Sequence, residues 1–173
     1  MANNSAEKWA KQVADAEEHA DRVYNEQLKH LERQINAADK AEAHVLKVVE
    51  RQVALDVKFA ENHVKHLAHV IEYQTKKVDN AYDHVAKLEE EGKNTTRALA
   101  RAEKIEADAD EHIAIVAKHV AEAIERDAEA AGDHVAHGVE KIEKIEEKLG
   151  KRAEGDAERV AKADENVVNK AAQ

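Results

Sequence analysis

Glu90-Glu91-Gly92-Lys93-Asn94-Thr95-Thr96 is the stretch on which the reading of this sequence turns. Gly92 suits the left-handed residue just past a helix end, and Asn94 or Thr95 suits the cap of a following helix, where a short side-chain oxygen accepts from an orphan backbone N–H. The stretch predicts a turn at 91–95 between two helical arms.

Outward from that turn, apolar residues recur in steps of three and four. The N-terminal ladder runs from Trp9, Val13, Ala16 and Ala20 through Leu28, Leu31 and Ile35 to Val64, Leu67, Ile71, Val85 and Leu88. The C-terminal ladder runs from Ile105, Ala109 and Ile113 through Val120, Val135 and Val139 to Val160 and Val167. Such spacing keeps one face of an α-helix apolar, and the several steps of four imply little supercoil. Zero proline and five glycines in 173 residues remove the punctuation that strands and loop-rich domains need. The expectation is a single all-α domain of long antiparallel helices.

Two weaker breaks decide how many helices there are. Asn36-Ala37-Ala38-Asp39 carries a capping-box pattern in Asp39 and Glu42, and the segment 150–156 holds Gly150 and Gly155. Turns at both predict a four-helix bundle, and the two glycines, unfavourable inside a helix, favour it. Turns at neither predict an extended coiled-coil hairpin with arms on the order of 120 Å that oligomerises to bury its face.

Composition narrows function mainly by exclusion. The 34 alanines and 18 valines outweigh 8 leucines and 8 isoleucines, so close helix approach replaces bulky filling. Absence of cysteine removes disulfides, thiolate metal sites and thiol catalysis. Ser5 is the only serine, no nucleophile and base can be assembled, and a non-enzymatic protein is expected. The formal charge of −10, with bases interspersed among acids, argues against nucleic acid. The weakly apolar face and acidic polar face disfavour a membrane, and Met1 to Trp9 lacks a leader pattern, so a soluble, cytoplasmic protein is expected. Neither Pro nor Cys and a single Met are unusual for a natural chain, while this much Val and His is an unusual choice for an engineered one.

Histidine carries the sharpest signal. Ten of the eleven, all but His137, directly precede an apolar residue. One residue is a 100° step, which puts these imidazoles on the shoulder of the apolar stripe, facing neighbouring helices. Folding about Gly92 sets His119 opposite His66, with His63 and His69 one turn to either side and His112 farther along the same arm. A turn at 36–39 would set His30 opposite His44, and the fold about Gly92 sets His134 and His137 opposite positions 49–52. Neutral imidazoles from facing helices suit zinc, nickel or copper, and the i, i+3 pairs His63/His66 and His134/His137 can chelate from one helix. Haem held by two histidines is the other cofactor expected, with room from Ala131, Gly132 and Gly138.

No HExxH phrase occurs, and no Glu stands three residues before a histidine. The competing readings are packing histidines in a self-associating coiled-coil scaffold, and a pH-responsive charge that runs from −10 to about +1 as the imidazoles protonate. Acidic residues are expected on the outer faces, solvated among lysines.

Overall fold

Ala, Glu, Lys and Arg, strong helix formers, supply about half of the residues, and neither proline nor glycine interrupts the chain before Gly92. The structure, a computed structural model, describes residues 2–172. It contains two helices, α1 over Ala2–Glu90 (89 residues) and α2 over Thr96–Ala171 (76 residues), and is 96% helical. No strand occurs among the described residues.

The expected turn at 91–95 is present. Gly92 has φ +64°, its N–H donates to the Glu89 carbonyl at 2.9 Å, and the Lys93 N–H donates to the Leu88 carbonyl at 2.9 Å. These bonds satisfy carbonyls that the helix end leaves free. The Asn94 side-chain oxygen accepts from the Thr96 N–H at 3.0 Å, and the Thr95 carbonyl accepts the first helical bond, from Leu99 at 2.8 Å.

The weaker breaks at 36–39 and 150–156 are helical throughout, so the four-helix division within one chain does not form and a two-helix hairpin fits. Ala38 is buried in the helix contact, which holds the first segment in place. A Cβ at Gly150 or Gly155 would meet open space, so these glycines make no close approach. Their cost of about 1 kcal/mol each is tolerated inside a long helix.

Contacts divide the chain into two compact units. In the turn unit, Val49–Ala136, the two helices run antiparallel from the loop. Their seam is built on Val85, Ala102, Ala109, Val120 and Ala123, with Ala102 fully buried. In the terminal unit, Met1–Val48 with His137–Gln173, the seam rests on Ala16, Ala20, Ala38 and Ala163. Alanine at the contact lets the backbones come close, so each small residue excludes water by proximity. No large side chain is fully buried among the described residues.

The ladders predicted from sequence are therefore only partly seam. Trp9, Leu28, Ile35, Val64, Ile71, Val135 and Val139 are all exposed by more than two fifths. Each helix has one neighbour, and one neighbour covers a narrower arc than these helices make apolar. The seam alone dictates close packing. Ala102→Leu should lower unfolding free energy by about 1–3 kcal/mol through overpacking, whereas Ala86→Leu, at an exposed position, should stay within about 0.5 kcal/mol. Urea unfolding followed by circular dichroism checks both.

Candidate functional site

Histidine placement follows from where each residue stands relative to the seam. Eight histidines, at 19, 44, 66, 69, 84, 112, 119 and 137, are exposed, and each immediately precedes a seam residue. Their rings lie on one flank of their helix and reach water more than the sequence reading expected. The other three, His30, His63 and His134, occupy the seam itself.

Each seam histidine meets an aspartate from the opposite helix. In the terminal unit His30 Nδ1 lies 2.8 Å from Asp156 Oδ2. In the turn unit His134 Nδ1 lies 2.9 Å from Asp56 Oδ2, and His63 Nε2 lies 3.6 Å from Asp127 Oδ2. The first two distances are hydrogen bonds and the third is too long for one, which leaves the buried Asp127 Oδ2 without a hydrogen-bond partner. Gln34 extends the first pair: its amide nitrogen is 3.3 Å from His30 Nε2, and its oxygen accepts from the Arg152 guanidinium.

These aspartates correct the expectation that acids stay on outer faces. Asp56 follows Val53 and precedes Ala60, Asp127 falls between Ala123 and Ala131, and Asp156 between Ala153 and Val160, all at seam spacing. The signal was the interval. An acid three or four residues from apolar neighbours on both sides faces wherever they face.

Among the expected ligand sets, His63, His66 and His119 do line one groove of about 450 Å³, together with Val116, Glu122 and Arg126. His30 does not meet His44: with no turn at 36–39 both lie on α1, and His30 faces Asp156 instead. His134 is engaged by Asp56, and His137 lies 4.0 Å from Glu140 on its own helix. His44, His69 and His112 are exposed on their helix flanks. Among the described residues no group of three or more His, Asp or Glu is arranged to hold a metal ion.

Large apolar residues show the complementary order. Leu28, Ile35, Val57, Val64 and Ile71 on α1, and Leu99, Val135, Val139 and Val168 on α2, each directly follow a seam residue and are exposed. Preceding and following residues lie 100° to either side of the seam, so the exposed histidines take one flank of each helix and most of the large exposed apolar side chains take the other, with Leu55, Phe59, Tyr73 and Ile115 on the histidine flank. Because paired helices run antiparallel, like flanks of the two helices fall on the same side within each unit. In the turn unit His63 and His66 accordingly share a groove with His119. In the terminal unit Tyr24, Leu28 and Leu31 share one with Ala153, Ala157 and Val160.

Charges elsewhere support the helices individually. Hydrogen bonds from Lys76, Lys144 and Lys151 hold the carboxyls of Glu72, Glu140 and Glu147, four residues earlier, below the usual carboxylate range. The bond from the Tyr82 hydroxyl to Glu106 pushes that phenol up. The carboxylate pairs favour the helix above the ordinary carboxylate range and lose that contribution as pH falls through it. All are solvated, and salt screens them.

The chain matches no family model, and no match is found among curated proteins or solved structures. No helix among the described residues is long and apolar enough to cross a membrane.

The seam pair in the terminal unit makes an asymmetric prediction. The Asp156 side chain is 9% exposed and the His30 side chain 44%. His30→Ala should cost about 1–3 kcal/mol because it strands a buried carboxylate, with the Arg159 guanidinium 4.0 Å away. Asp156→Ala should cost less, since the imidazole it releases can hydrate. Thermal unfolding of both single variants and the double variant measures the difference; equal costs would remove the pair from the seam's energetics.

Proposed function

We propose that this chain is a non-enzymatic helical scaffold that self-associates, a second copy covering the apolar flank that each unit leaves open. The observation that carries the reading is the row of large apolar side chains, among them Leu28, Ile35, Val57, Val64 and Ile71, exposed beside a seam that buries mostly alanine.

Surface area supports it. The chain exposes 13150 Å², where a folded monomer of 19.3 kDa exposes about 8,500 Å² by the usual scaling. The surplus falls within the roughly 2,000–5,000 Å² that obligate dimers bury in total. Two layers apposed through these flanks give each helix further neighbours, which is the packing of a four-helix bundle reached between chains. A second copy is the occupant favoured because its flank has the same composition and spacing, so knobs and gaps repeat in step. The net charge of −10 opposes association, and salt screens that repulsion beyond about 8 Å at physiological ionic strength.

Sedimentation equilibrium should return a mass of at least twice 19.3 kDa, and substituting Val57, Val64 and Ile71 together by Glu should return the single-chain mass with helix content retained. A parent that stays single-chain at high micromolar concentration would overturn the scaffold reading.

A second reading, binding of zinc, nickel or copper, is favoured by one observation: His63, His66 and His119 come to the same groove from two helices. Bis-histidine haem ligation would draw on the same residues. Titration with each metal and with haemin should raise the melting temperature by mass action, and His119→Ala should abolish the gain while His19→Ala keeps it. No gain in the parent would remove this reading and leave the scaffold untouched.

A further inference from the structure

In a chain with ten more acids than bases, one groove in the turn unit is lined without a single carboxylate. Lys77, Asn80 and His84 of α1 face Arg97 and Arg101 of α2 across it, and Asn94 lies at the end nearest the turn. Its floor is apolar: Leu88, Ala102 and Ile105 are half-buried or buried there. Its volume, about 550 Å³, falls in the range of small-ligand sites.

The cations around it are uncommitted. Lysines at 76, 144 and 151 pair with a glutamate four residues earlier, whereas among the described residues Lys77, Arg97 and Arg101 have no ion-pair partner. The N-terminus of α2 begins at Thr96, beside the groove, and adds its partial positive charge. A groove ringed by unneutralised cations, floored by aliphatic side chains and provided with two amides is complementary to an anion that carries an apolar body.

We propose that this groove binds a soluble organic phosphate, the phosphate held by Lys77, Arg97 and Arg101 and its apolar part resting on Leu88 and Ile105. Arginine suits the phosphate through its fork of donors, and Asn80 and Asn94 supply further polar contacts beside it. A soluble ligand is favoured over an anionic bilayer by range. The net charge of −10 repels an extended anionic surface, whereas a small dianion inside the groove lies within one Debye length, about 8 Å, of the local cations. The site is independent of the self-association flank, because His84 precedes its seam residue Val85 whereas Val64 and Ile71 follow theirs.

Phenyl phosphate, a dianion on a ring, is the probe. Calorimetric titration of the full chain should show one site per chain with Kd below about 1 mM, weaker binding of inorganic phosphate, and none of phenol. Lys77→Gln with Arg101→Gln should weaken phenyl phosphate binding by roughly tenfold or more, with an unchanged circular-dichroism melt showing that the fold persists. Lys118→Gln, a cation outside the groove, should leave binding as it was. Absence of binding by the parent, equal binding by the double variant, or sedimentation with phosphatidic-acid vesicles without uptake of phenyl phosphate would each overturn the proposal.

Discussion

Each helix here has one partner within its unit, and that constraint governs everything else. A layer two helices thick has a seam but no interior, so a side chain placed in the seam keeps at least one edge toward water unless it is as small as alanine. Ala102 is fully buried because its methyl fits entirely between two backbones, while Val64 and Leu28, one step off the seam, have nothing above them. Hydrophobic stabilisation scales with the area removed from water, about 25 cal/mol per Å². A seam of small residues supplies little of it per residue, and much of the apolar area not yet removed from water lies on the flank that follows the seam.

Polar residues in that seam have a role that apolar ones cannot fill. Alanine and valine at steps of three and four fit nearly as well when one helix slides by a turn, since the next small residue replaces the last. A histidine hydrogen-bonded to one aspartate does not, because a one-turn slip moves the partner by about 5.4 Å. His30 with Asp156, and His134 with Asp56, therefore distinguish one register from its neighbours in their respective units. Such pairs are weak contributors to net stability and strong discriminators among arrangements, because breaking one leaves a buried group unsatisfied.

Segregation of the flanks gives each unit two unlike sides. Eight histidines precede seam residues and most large exposed apolar residues follow them, and the antiparallel pairing adds like to like across the two helices. One side thus collects the exposed imidazoles, with Leu55, Phe59, Tyr73 and Ile115 among them, while the other collects the larger share of the exposed aliphatic side chains. The proposed association and the proposed phosphate site use opposite sides, so neither obstructs the other.

What the sequence determined by itself was helix, turn and pattern. Absent proline, the alanine-rich composition and Gly92 with its following Asn94 and Thr95 decided two helical arms and the place where they meet, because capping and periodicity are local properties of the chain. The approach of His119 to His63 and His66 was also readable, since a single turn fixes which residue numbers oppose. The exposure of Val64 and Ile71, the pairing of His30 with Asp156 and of His134 with Asp56, and the continuity of helix through Gly150 were decided by tertiary structure. Periodicity says which residues share a face, but it does not say where along a broad apolar arc the one available neighbour will rest. That placement depends on how closely two backbones can approach, and the seam rests mostly on alanines and not on the larger apolar residues.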